Sequence, residues 1–99
     1  MRRVKKNPIM VEPDPADPED FAVDQAAADR ALQGRRIRKL RNRLGLSQDA
    51  FAARYGIPVA NIRQYEIGRT MPPPAVRAYL TVIGEEPETT AAALRRAAA

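Results

Sequence analysis

The sequence predicts an all-α chain, and three observations carry that expectation. Apolar residues recur at helical spacings of three and four rather than in alternation. Glycines and prolines divide those stretches at about the length of a short helix, and both flanks are rich in alanine. The 99 residues leave room for one small domain plus a tail. The absence of Cys and His removes the usual ligands of zinc, haem and iron–sulfur centres, together with the imidazole base and the thiol nucleophile. No metal, no cofactor and no enzymatic activity are therefore expected. No apolar run approaches the roughly 18 to 20 residues of a membrane span. The basic start runs into Asn7-Pro8 rather than a hydrophobic signal core. A cytoplasmic protein without a membrane partner is the expectation.

The net charge of +5 is strongly segmented. Arg2, Arg3, Lys5 and Lys6 open the chain; residues 7 to 34 then carry seven acids and only Arg30, a balance of −6. Residues 35 to 69 hold nine Arg or Lys against Asp49 and Glu66, a balance of +7, and residues 70 to 99 are neutral. A basic, domain-sized stretch beside an acidic leader is the asymmetry of a nucleic-acid binder with a second, differently charged region.

Residues 7 to 18, NPIMVEPDPADP, set four prolines among Glu12, Asp14 and Asp17 and have no helical period. Such a composition favours an extended chain that is disordered when alone. Asp17-Pro18-Glu19-Asp20 reads as a helix start, with Asp as N-cap, Pro at N1 and acids toward the helix dipole. The weak helix that follows, near 18–33, places Phe21, Ala28 and Leu32 on one face, with Gly34 as its end or hinge. So thin a stripe needs the main domain or a partner.

From Arg35 the pattern strengthens. Ile37, Leu40 and Leu44 share a face up to Gly45; Ser47 caps a second helix bearing Phe51, Ala52 and Tyr55, which Gly56 ends. Pro58 suits the N1 position of a third helix, about Pro58 to Ile67, with Ile62 and Tyr65 inward. Pro72-Pro73-Pro74 forces an extended connection to a fourth helix, Ala75 to Ile83, with Val76, Tyr79, Leu80 and Ile83 apolar. Gly84 ends it, and Pro87 begins a short Ala-rich helix reaching about Ala97, anchored by Leu94. The expected units are a leader at 1–34, a helix-turn-helix domain at 35–84 and a C-terminal helix at 85–99.

Two short helices joined by a tight Gly-containing turn, inside a basic helical stretch, form a helix-turn-helix. The run LRNRLGLSQDAFAARYGIPVANIRQYEIGRTMPPP, with Leu40, Gly45, Leu46, Ser47, Gln48, Ala52, Gly56, Ile62, Glu66, Gly68, Arg69 and Pro72 as landmarks, resembles the lambda-repressor-like, or Xre-type, family over about residues 35 to 84. The resemblance implies a five-helix DNA-binding domain whose third helix enters the major groove. On that helix Gln64 suits adenine, Arg63 suits guanine or phosphate, and Asn61 is a further reader. Val59 and Ala60 stand where relatives often carry polar readers and suit thymine methyls instead.

Gln48 resembles a family Gln that touches phosphate or supports the third helix, and Ser47 reads as a cap with an incidental phosphate contact. Arg69 and Thr70 resemble backbone-contacting residues, with Arg36, Arg38, Lys39 and Arg43 as phosphate attractors or a solvated face. Arg41 and Glu66 match a family pair that forms an internal salt bridge.

The stretch from Phe51 to Leu94, with Arg77-Ala-Tyr-Leu, Val-Ile and Glu86-Pro-Glu, resembles antitoxins of type II toxin–antitoxin operons, of the HigA-like and BrnT-partner kinds. That implies a repressor of its own operon that neutralises a RelE-like ribonuclease toxin. The acidic leader suits a basic partner, with Ile9, Met10 and Val11 as an added strand and Phe21 and Leu32 as apolar anchors. A homodimer on two half-sites is expected, joined through Leu80, Ile83 and Leu94. The alternatives are a stand-alone Xre-type repressor and an interaction adaptor that has lost base readout.

Overall fold

The computed structural model describes the backbone of residues 18–99 and the side chains of residues 25–99. Ile9, Val11 and the side chain of Phe21 lie outside the described residues. Five helices follow one another: α1 (Pro18–Arg43), α2 (Gln48–Tyr55), α3 (Val59–Glu66), α4 (Pro74–Glu85) and α5 (Pro87–Ala98). Among the described residues there is no strand, and no helix is long and apolar enough to cross a membrane.

The first difference from expectation is that the leader helix and the first domain helix are one element of 26 residues. Gly34 does not end a helix. It is buried where α1 crosses α3, and a Cβ on it would lie 2.6 Å from the Tyr65 carbonyl oxygen and 2.7 Å from that of Glu66. Glycine is present for close backbone approach, so the 34/35 boundary falls inside a helix.

Local chemistry explains the next two elements. Ser47 has extended backbone angles and its Oγ accepts the Ala50 N–H at 3.0 Å, satisfying one orphan donor of α2. Gly56 closes α2 in the left-handed region at φ 70°, where a Cβ would be strained. Both Gly56 and Ile57 N–H donate to the Ala52 carbonyl, which turns the chain sharply into α3. Pro58 occupies the N-cap of α3 rather than N1, because its ψ of 132° is extended. Its carbonyl accepts from Asn61 and Ile62, but its ring has no hydroxyl with which to cap.

Pro74 takes N1 of α4, and the buried Pro72 closes the core beneath the preceding connection. Gly84 lies within the last turn of α4 rather than ending it, and its carbonyl accepts from Arg43 Nη2 at 3.1 Å. Phe51, Ile62 and Ile83 are fully buried, with Ile37, Tyr55, Ile57, Tyr65 and Leu80 around them. Each such side chain contributes about 1.5–3 kcal/mol by leaving water. Ile83 is therefore consumed by this core and not left over for a second copy, Leu80 keeps only 8% of its surface exposed, and Leu94 is half-buried against the core. The anchor of α5 is Ala91, 1% exposed, whose small side chain lets α5 sit close against α2 and α4. Two phenols tie these helices: Tyr79 donates to the Tyr55 carbonyl at 2.6 Å, and Tyr55 donates to the Pro87 carbonyl at 3.1 Å.

Candidate nucleic-acid interface

The candidate surface is the outward side of α3, and its geometry begins with what holds that helix. Ile62 and Tyr65 face the core, and so does Glu66, a carboxylate with 3% of its side chain exposed. A buried carboxylate is costly unless paired and hydrogen-bonded. Arg41 supplies both: Nε lies 2.7 Å from Oε2, Nη2 lies 2.9 Å from Oε1, and Nη1 donates to the Leu46 carbonyl at 3.0 Å. Gln48 Nε2 adds a donor to Glu66 Oε1 at 3.1 Å. The hydrogen bonds to Glu66 hold the Arg41 guanidinium above its ordinary pKa, an effect that burial partly opposes.

Sequence reasoning missed a second set of contacts. Arg38 donates to the Glu66 carbonyl and Arg30 Nε donates to the Gly68 carbonyl at 2.9 Å. Arg38 thus satisfies the last carbonyl of α3 and Arg30 one in the turn just past it, both where the helix dipole is negative. With Gly34 between them, Arg30, Arg38 and Arg41 form a stripe on one face of α1 that fixes the position and angle of α3. Arg38 is a strut of α3 rather than part of a solvated face. Charge counting gives their number but not which carbonyl each one meets.

The opposite side of α3 carries the exposed Ala60, Asn61 and Arg63 and the half-buried Gln64. Ala60, Asn61 and Gln64 lie within about a third of the helix circumference, with Arg63 beside them. Arg63 Nη2 is 3.3 Å from Asp49 Oδ1, an exposed pair that restrains the guanidinium loosely. Val59 is half-buried and packs on the core, so its methyls are partly engaged there, unlike those of Ala60. Arg69 and Thr70 are exposed just beyond α3, and Ser47 is exposed at the start of α2. Arg43 is exposed on α1 with its guanidinium on the Gly84 carbonyl.

One outward residue had no role in the sequence reading. Ile67, the C-cap of α3, is 67% exposed and lies in phase with Ala60 and Gln64 rather than with Ile62 and Tyr65. That helical phase was the available signal. The surface therefore offers amide donors and acceptors, a restrained guanidinium and apolar groups on one rigid helix, the chemistry suited to base edges and thymine methyls.

No curated protein and no solved structure matches the chain at a significant level. A family model described as a helix-turn-helix domain matches residues 34–96, from Gly34 through most of α5, and supports the Xre-like resemblance. With well over half of its length matched and α2, Gly56 and α3 in the arrangement described, the chain belongs to the helix-turn-helix domain family.

Proposed function

We propose that this protein is a sequence-specific double-stranded DNA-binding repressor, reading its operator with α3. The observation that carries the proposal is the division of α3: one side is locked to α1 through Gly34, Arg30, Arg38 and Arg41, while Ala60, Asn61, Arg63 and Gln64 face outward. Gln48 serves as a support for Glu66, and Ser47, Arg69 and Thr70 serve as phosphate contacts around the helix. No catalytic step is assigned to any residue.

The experiment is a fluorescence-anisotropy titration with DNA from upstream of the protein's own gene, against a scrambled duplex. Asn61→Ala and Gln64→Ala should each weaken operator binding by about 1–3 kcal/mol while leaving scrambled DNA nearly unaffected. Arg69→Ala should weaken both duplexes alike. Operator affinity unchanged in both α3 variants would overturn base readout by this helix, and equal affinity of the parent protein for both duplexes would favour the adaptor.

The finer reading is an antitoxin that also neutralises a RelE-like ribonuclease toxin and represses the operon encoding both. Its support is the sequence resemblance and the charge of residues 7 to 34, which complements a protein that must bind anionic RNA. Because α1 runs unbroken through Gly34, a deletion to residue 33 would also remove Arg30 from α3. The test therefore removes residues 1–17 and co-expresses the remainder with the product of the neighbouring open reading frame. Lost neutralisation supports the antitoxin reading through Ile9 and Val11. A neighbour that is harmless without this protein would leave a stand-alone repressor.

A further inference from the structure

The face of α1 turned away from α3 is unexplained by DNA binding. Residues 25 to 29 are all exposed, and the first side-chain hydrogen bond described from α1 to the α3 region is that of Arg30 to the Gly68 carbonyl, just past α3. Leu32, 37% exposed, lies about 160° around the helix from Gly34. On the same side a groove of about 510 Å³ runs between α1 and α4, with Leu40 and the nearly fully buried Leu80 on its floor and Arg36, Lys39, Arg43 and Arg77 at a rim that also holds Glu85. An isolated helical stretch of this length is marginal in water. An apolar floor with a mainly cationic rim calls for an occupant that is acidic and partly apolar.

The sequence of α1 itself meets that description in reverse. Asp29 stands three residues before Leu32 and Arg36 four after it; Asp24 stands eight before and Lys39 seven after. Apart from Arg30, which is turned to the Gly68 carbonyl, charge changes sign about Leu32, so two antiparallel copies centred there bring acids of each opposite bases of the other. We infer that α1 pairs with α1 of a second copy about a two-fold axis at Leu32, each copy laying its residues 18–28 along the other's α1–α4 groove. The interface is isologous, and the charge order disfavours parallel pairing, in which like charges meet. Leu32, offered to a toxin in the sequence reading, belongs here to the second copy.

One consequence rests on the DNA-binding reading. Because α3 and Leu32 occupy opposite sides of α1, the order across the pair is α3, α1, α1, α3. With helix axes about 9 Å apart and α3 crossing at Gly34, two residues past Leu32, the two α3 helices lie roughly 28 Å apart, within about 8 Å of the ~34–36 Å between successive major grooves on one side of DNA.

Sedimentation equilibrium of the full chain without DNA tests the interface, so the outcome is independent of operator binding. The parent protein should be a dimer. Asp29→Arg and Arg36→Asp, each setting like charges together twice, should weaken dimerisation by at least about 100-fold, and the double variant D29R/R36D should recover to within about tenfold of the parent. Leu32→Glu should give a monomer with an unchanged far-ultraviolet circular dichroism spectrum. Asp29 accepts only a local hydrogen bond from Gln25, at 3.0 Å, and both charged positions are exposed, so the swap leaves the fold intact. A monomeric parent, single variants as dimeric as the parent, or a double variant without recovery would each overturn the proposal.

Discussion

At the scale of single residues, Gly34 shows how tertiary contact overrides local preference. Alanine in a helix interior is ordinarily better than glycine by about 1 kcal/mol. Here its Cβ would press on two backbone carbonyls at 2.6 and 2.7 Å, and neither oxygen can swing aside as a flexible side chain would. Gly34→Ala should therefore destabilise the protein by about 1–3 kcal/mol in urea denaturation, the usual cost of overpacking, and should weaken operator binding by displacing α3. A gain in stability would mean that α1 and α3 separate freely. The same residue marks the limit of the sequence. A glycine between an acidic helix and a basic one reads as a hinge, because the partner that requires it, the Tyr65–Glu66 backbone, lies some thirty residues away. Arg30 and Arg38 were illegible for the same reason, whereas Ser47 was legible because its partner, Ala50, is three residues away.

At the scale of elements, the helices with strong apolar phase were readable and the Ala-rich ones less so. Phe51, Ala52 and Tyr55 in α2, and Ile62 and Tyr65 in α3, are buried as their spacing predicts. The stretch from Pro18 to Gln33 was readable as a helix but not as the first half of α1, and α5 showed one leucine while its packing depends on Ala91. What binds α2, α4 and α5 together is equally invisible in periodicity, since it is a relay of two phenols to backbone carbonyls. Burial, and then the neighbouring Tyr55, push the Tyr79 pKa above its ordinary value near 10. The fold therefore favours the neutral phenol, and this contribution is complete below about pH 10 and is lost as pH rises through the higher, folded-state pKa. Tyr79→Phe should cost about 1 kcal/mol at pH 7 by leaving the Tyr55 carbonyl without its donor. Compared with the parent, the variant should lose less stability between pH 9 and about pH 11. Parallel stability profiles in alkaline denaturation would exclude Tyr79 as the titrating group.

At the scale of the whole molecule, the partition of charge can be turned into a measurement. If α3 and its flanks carry the DNA contacts, the phosphates neutralised per chain are set by residues 35–69, the segment at +7, and not by the net +5. The start of the chain is a rival source of cations, with Arg2, Arg3, Lys5 and Lys6, although Glu12, Asp14 and Asp17 offset all but one of those charges. Removing residues 1–17 separates the two cases and leaves α1 complete. Each phosphate contact contributes about −0.9 to the slope of log affinity against log salt, and a segment of net charge +1 that makes no contacts contributes almost nothing. The truncated protein should keep the parent's slope to within about one unit, while Arg69→Ala should lose about one unit through a single contact. A loss of three units or more on truncation would instead place the four basic residues of the start on the phosphate backbone. The leader would then bind DNA at its tip, and its acidic stretch would act as the spacer between that tip and α1.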